Sequence, residues 1–165
     1  MTYDAVTVPT PFGAFTAIAD DGTVLRSGFT ASVDVLREGL PDPDADIRVR
    51  GDLGEISSAL RAYLSGDDVG ALDRLPVRAE GSEAMQRLWS ALRRIPAGQV
   101  RSYMELGGDR RHARVAGAAC ARNPIPLIVP CHRVVRSDGS LGGFGPGLDV
   151  KRWLLDHEAG AAGGS

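Results

Sequence analysis

Between residues 124 and 131 the chain reads Pro-Ile-Pro-Leu-Ile-Val-Pro-Cys, and no other segment constrains the fold as tightly. Its apolar residues need burial. Each proline fixes φ and removes a backbone donor, so neither a helix interior nor a central strand can run through it. The protein must therefore wrap a core around an irregular buried segment that delivers Cys131.

A chain of 165 residues and 17.4 kDa fits one ordinary domain, or two small lobes sharing a core. With 43% hydrophobic and 24% charged residues it has the balance of a soluble globular protein. It contains no apolar run long enough for a membrane-spanning helix. The opening MTYDAVTVPTPFG lacks the basic start and apolar stretch of a signal peptide. Two cysteines are too few for a disulfide scaffold or a four-thiolate metal site, so the expected compartment is the reducing cytoplasm.

Charge is split along the chain. Residues 1–80 carry 7 Arg against 14 Asp and Glu, a balance of −7, and residues 81–165 carry 11 Arg and 1 Lys against 7, a balance of +5. Together these give the net −2, and the basic half points weakly to a polyanionic partner.

Three strands are expected near Asp4–Val8, Ala14–Ala19 and Val24–Phe29, separated by turns at Pro11-Phe12-Gly13 and Asp20-Asp21-Gly22. Helical patterns follow near Ser32–Leu40 and Leu53–Leu64, and the loop from Ser65 to Gly81 marks the boundary between an N-terminal lobe, 1–80, and a C-terminal domain, 81–159. Ser82 reads as the N-cap of a helix over Glu83–Arg94, in which Met85, Leu88, Trp89, Leu92 and Ile95 recur at helical spacing. Shorter helices are expected near Tyr103–Leu106 and Arg111–Arg122, and a final one over Leu148–Glu158. The Ala- and Gly-rich tail, 160–165, reads as disordered.

The chemistry centres on Cys131. A thiol of ordinary pKa, about 8.5, is only a few per cent thiolate at neutral pH, so a nucleophilic cysteine needs an adjacent base or cation. His132 and Arg133 follow it directly. Adjacent side chains in an extended segment point opposite ways, so a Cys-His contact requires a turn, which Pro130 allows. A Cys-His pair alone more often marks a buried packing cysteine. Glu158 changes that weighing. It lies four residues after Leu154 on the apolar stripe of the last helix, where a carboxylate needs a partner, and a histidine bonded to it would be oriented and made more basic. The bland alternative is a glutamate fraying into water at a helix end.

The stretch Asn123-Pro124 … Val129-Pro130-Cys131-His132-Arg133-Val134-Val135 resembles the active-site signature of the O6-alkylguanine-DNA alkyltransferases. The likeness extends back through Leu88-Trp89-Ser90-Ala91-Leu92, Ile95-Pro96-Ala97-Gly98, Ser102-Tyr103 and Ala113-Arg114-Val115-Ala116-Gly117, and forward to Lys151 and Leu154-Leu155-Asp156-His157-Glu158. It is looser in the N-terminal lobe, at Thr10-Pro11-Phe12-Gly13-Ala14-Phe15.

The resemblance implies an α/β (α+β) fold. Its N-terminal lobe would hold a small antiparallel sheet and flanking helices, and its mostly helical C-terminal lobe a helix-turn-helix and the active-site cysteine. It implies irreversible transfer of an alkyl group from O6 of guanine in DNA to Cys131, which consumes the protein. His132 would be the general base, acting through a water; Glu158 would orient it, Asn123 would brace the turn, and Tyr103 would help protonate the departing guanine. Arg114 would fill the gap left by a flipped base, with Ala113, Gly117 and Arg133 also against the DNA. Val134, Phe144, Gly145 and Cys120 would form the lesion pocket. The expected partner is double-stranded DNA carrying O6-alkylguanine, bound by a monomer, with no cofactor and no metal.

Three departures from the family pattern stand out. The stretch from Met104 to His112 looks about three residues short, Phe144 replaces a common Tyr beside Pro146, and Ala84-Met85 replaces a Phe-Gln pair. The alternative function is a lesion-recognition protein that binds alkylated DNA without transfer, which the presence of Cys131 weighs against. A thiol-sensing regulator and a thiol hydrolase are more distant rivals.

Overall fold

The computed structural model describes residues 1–163, with side chains to residue 161. Strand β1 (Thr2–Thr10) turns through Pro11-Phe12 into β2 (Gly13–Asp20), and β2 turns through Asp21-Gly22 into β3 (Thr23–Gly28). Asp21 and Gly22 both take positive φ, 49° and 84°, which is the two-residue hairpin geometry that matches strand twist. A short helix, α1 (Val33–Leu36), then leads to β4 (Asp46–Arg50), which pairs parallel with β1 and gives the order β3-β2-β1-β4.

The sequence did not announce β4, so the sheet is antiparallel except at this edge. Its side chains are almost all exposed, which leaves no buried face to generate a period-two signal. Arg48 and Arg50 instead both reach Asp4 at 3.2 Å, and such charges suit an edge strand. One sheet face carries Tyr3, Ala5, Ile18 and Leu25 onto Leu36 and Leu40, and the other carries Val6, Phe15, Ala17 and Val24 into the main core.

That main core runs through both halves of the chain. It includes Ile56, Leu60 and Tyr63 of α2 (Glu55–Ser65), Leu72 of the 3₁₀ turn Ala71–Arg74, and Trp89 and Leu92 of α3 (Glu83–Leu92). The 125–129 segment and Val150 and Leu154 of α6 (Leu148–Gly163) complete it. The stretch between α2 and α3 therefore packs as part of the core.

Ser82 caps α3 by accepting from the Met85 amide. Trp89 donates its indole N–H to the Ala119 carbonyl at 2.8 Å, which ties α3 to α5 (Ala113–Ala121). Between them, β5 (Arg101–Ser102) pairs with β6 (Val134–Val135) and leads into α4 (Tyr103–Gly107), which a Ser102/Glu105 capping box opens.

The final helix does not stop at Glu158. It continues to Gly163, so residues 160–163 are helical and not a disordered tail; Gly164 and Ser165 lie outside the described residues. Alanines at 159, 161 and 162 favour helix, and Ala161 packs against the core. No helix among the described residues is long and apolar enough to cross a membrane.

Candidate active site

The segment 124–130 is buried and irregular, as its prolines require, and the N-terminal sheet holds it. Ser27 of β3 donates its amide to the Pro124 carbonyl at 3.1 Å and its hydroxyl to the Pro126 carbonyl at 2.8 Å. Arg26 adds a bond to the Pro124 carbonyl at 3.1 Å. Asn123 accepts from the Ile125 amide at 2.9 Å and donates to the Val129 carbonyl at 2.8 Å. That carbonyl also accepts the Cys131 amide at 2.8 Å, so Asn123 braces the turn directly. Leu127 sits at φ 73°, a left-handed conformation that costs a non-glycine residue about 1–3 kcal/mol and that the surrounding bonds sustain.

Cys131–Arg133 form one 3₁₀ turn, which supplies the bend that an extended chain would lack. His132 is fully buried, and its Nε2 lies 2.6 Å from Glu158 Oε2. Burial works against ionisation of Glu158, but His132 and Arg133 outweigh it and bring the carboxyl down to about 2. An ionised carboxylate only accepts, so Nε2 donates its proton to Glu158. Nδ1 is the one buried side-chain nitrogen or oxygen without a hydrogen-bond partner among the described residues. Burial raises the Cys131 thiol, which Asn123 and the Lys151 ammonium only partly oppose, so the resting sulfur keeps its proton.

Arg133 stands elsewhere than expected. Its side chain is fully buried, with no path to a DNA surface. Nε donates to Glu158 Oε1 at 2.8 Å, and Nη1 reaches both Asp73 oxygens at 3.0 and 2.9 Å and the Ile95 carbonyl at 2.7 Å. The planar guanidinium bridges two carboxylates at once, the buried Glu158 and the part-buried Asp73. Tyr63 and Asp73 were not legible as site residues; Tyr63 donates its hydroxyl to Glu158 Oε2 at 2.6 Å. Lys151 was also missed as a buried group: its ammonium bonds the carbonyls of Val134, Leu141 and Gly143 and so anchors the loop before α6.

Cys131 opens on a cavity of about 180 Å³, lined also by Cys120, Ala121, Gly143, Phe144 and Gly145. A cavity of ~150 Å³ already admits one benzene ring. Phe144, Gly145 and Cys120 stand on the wall of this cavity. Val134 does not: it is fully buried, and its carbonyl accepts from Lys151. Burial and the neighbouring Cys131 push the Cys120 thiol up to about 12. Tyr103 borders this region, because a Cβ at Gly142 would fall 2.8 Å from its hydroxyl. Burial raises the Tyr103 phenol, with Cys120 and Cys131 adding to the shift, so it stays protonated.

Helices α4 and α5 pack together across the turn 108–112. The turn is tight: a Cβ at Gly107 would meet the His112 carbonyl oxygen at 2.5 Å. The first helix of the pair spans only Tyr103–Gly107, in keeping with the short spacing. Arg114 is exposed near the start of α5, and Ala113 and Gly117 lie on the same helix, with nothing within 4 Å of where a Gly117 side chain would begin.

Fold and site together define a mixed α/β protein with a buried cysteine, base and carboxylate array that opens on a small cavity beside a helix-turn-helix. Residues 83–160 match the model of the 6-O-methylguanine DNA methyltransferase DNA-binding domain. The methylated-DNA–protein-cysteine methyltransferase of Methanosarcina acetivorans is 39% identical over 119 residues, 70% of this chain and 75% of that protein. The Shigella flexneri protein of that name is 41% identical over 108 residues, 64% of this chain and 63% of its own length. The crystal structure of Mycobacterium tuberculosis OGT in complex with DNA superposes with a TM-score of 0.79 at 30% identity, covering 96% of this chain and 94% of that one. The chain belongs to the methylated-DNA–protein-cysteine methyltransferase family.

Proposed function

We propose that this protein removes an alkyl group from O6 of guanine in double-stranded DNA and keeps it on Cys131, acting once and as a monomer. The observation that carries this reading is the buried Glu158–His132 pair, with His132 Nδ1 left unpartnered, in the same turn as a Cys131 thiol that opens on the cavity.

The resting thiol is protonated, so the base must act during reaction. His132 Nδ1 takes the Cys131 proton through a water, and Glu158 stabilises the imidazolium that forms. The sulfur lone pair forms the S–C bond as the C–O6 bond breaks. The electrons of that bond pass to the guanine, which takes a proton from the Tyr103 hydroxyl and leaves neutral. Tyr103 recovers its proton through solvent as His132 releases the one it took, and the thioether is permanent. The O6 atom lies inside the duplex stack, so the guanine must turn out into the cavity. Exposed Arg114 on the small-residue helix α5 would occupy the gap, and the open space at Gly117 would let DNA approach closely.

The test is intact-protein mass spectrometry after incubation with duplex DNA containing O6-methylguanine, beside a Cys131→Ala control. One methyl group per protein, absent from the control, is expected. DNA binding with no adduct would overturn transfer and leave a lesion-recognition protein.

A further inference from the structure

We infer that Tyr63, in the N-terminal half of the chain, is a positioning residue of the Cys131 site that tempers the charge His132 receives from Glu158. The inference rests on the reading above only for what the thiol is used for.

Tyr63 is fully buried, and its hydroxyl donates at 2.6 Å to the Glu158 oxygen that also accepts His132 Nε2 at 2.6 Å. This is the hydroxyl's one hydrogen bond among the described residues, so a phenylalanine would fill the same core space without it. The same residue's carbonyl accepts from His157 Nε2 at 2.6 Å, so α2 is fastened to the last helix at two adjacent points.

A base must be neutral to accept a proton. A buried carboxylate with its whole charge directed at His132 would hold the ring as imidazolium and leave Nδ1 occupied. Arg133 draws on that charge through Oε1 at 2.8 Å and, more weakly, through Oε2 at 3.3 Å. Tyr63 supplies the short neutral donor on Oε2 itself and so reduces the charge that faces the ring.

The other charged or titratable groups around the pair are Asp73 on the 3₁₀ turn after α2, Arg93 at the end of α3, Cys131 beside His132, and His157 and Lys151 on α6. Asp73 is engaged by Arg133. Arg93 is engaged by the carbonyls of Leu72, Asp73, Leu75 and Ile128. Lys151 bonds main-chain carbonyls and acts on the Cys131 thiol. None of these donates to Oε2, which leaves Tyr63 as the adjustable partner.

The experiment compares wild type with Tyr63→Phe by NMR titration of the His132 ring nitrogens, and by the pH dependence of Cys131 alkylation with iodoacetamide, located by peptide mass mapping. The variant should raise the His132 pKa by about 0.5–1 unit, a fraction of the 1–3 units that a full charge partner provides. The acid limb of the alkylation profile should rise with it. In a Glu158→Gln background the same change should move neither readout, because the charge it acts on is gone.

An unmoved His132 titration in Tyr63→Phe overturns the inference, including when the variant is merely less stable. An equal shift in the Glu158→Gln background does so too. Neither readout uses DNA, so failure of transfer from O6-methylguanine would count against the proposed function alone.

Discussion

Replacing Arg133 with Met should destabilise the fold by about 3–5 kcal/mol at neutral pH, the cost of breaking a buried ion pair from one side. The structure shows why the upper end applies. Met can follow the aliphatic stem, but five hydrogen bonds disappear: two to Glu158, two to Asp73 and one to the Ile95 carbonyl. Glu158 is fully buried, so water cannot replace its donors; Asp73, its side chain 17% exposed, regains only part of its loss from water, and the two carboxylates lose the cation that separates them. The Glu158 carboxyl should then move up, and the Asp73 carboxyl, which burial already raises against the pull of Arg133, should move up further. The deficit should be full above those raised values and shrink as pH falls through them toward about 4, where the variant's carboxyls become protonated in both states. Urea unfolding followed by Trp89 and Trp153 fluorescence at pH 7 and pH 4 measures this. A loss under 1 kcal/mol, or one that does not change with pH, would refute the bridging role. The salt dependence of DNA binding should not change, because a buried arginine releases no counterions.

Glu158 is held at about 2 against an ordinary 4.5, so the wild type should carry about 3 kcal/mol above pH 4.5 that it loses as pH falls toward 2. Glu158→Gln should lack that acid transition in circular dichroism, and an identical transition in both proteins would refute the assignment. Gly117→Ala should raise stability by up to about 1 kcal/mol, since the site is open and helical, yet weaken binding to duplex DNA by crowding its approach. Calorimetry and a DNA titration read the two effects separately, and unchanged affinity would remove α5 from the interface. Ser27→Ala leaves the Pro126 carbonyl without its hydroxyl donor and should cost about 1–3 kcal/mol. It should also slow Cys131 alkylation by iodoacetamide, and an unchanged rate would mean that β3 does not hold the reactive turn.

The local elements were legible wherever the chain itself carried the signal. Alternation and the Asp-Gly turn determined the first three strands, Ser82 and the spacing of Met85, Leu88, Trp89 and Leu92 determined α3, and Val150, Leu154 and Glu158 placed a carboxylate on the buried face of α6. The prolines around Cys131 determined that the reactive segment is irregular and buried. Strand β4 was hidden because an exposed edge needs no hydrophobic pattern, and the helical end of the tail was hidden because its glycines read as breakers until Ala161 found the core.

Which groups partner the buried carboxylate emerges only in the folded chain. Arg133 reads in sequence like any other arginine of a basic half, and only the meeting of the 71–74 turn, the cysteine turn and α6 makes it the bridge between Asp73 and Glu158. Tyr63 and Ser27 were invisible for the same reason. A hydroxyl on an apolar helix face or in a strand carries no local mark of its partner, because that partner lies 95 or 99 residues away along the chain. The sequence by itself singled out Cys131, His132 and Glu158, since the proposed chemistry calls for those residue types. Folding decided how the N-terminal half completes that site, because long-range hydrogen bonds depend on packing that no local pattern records.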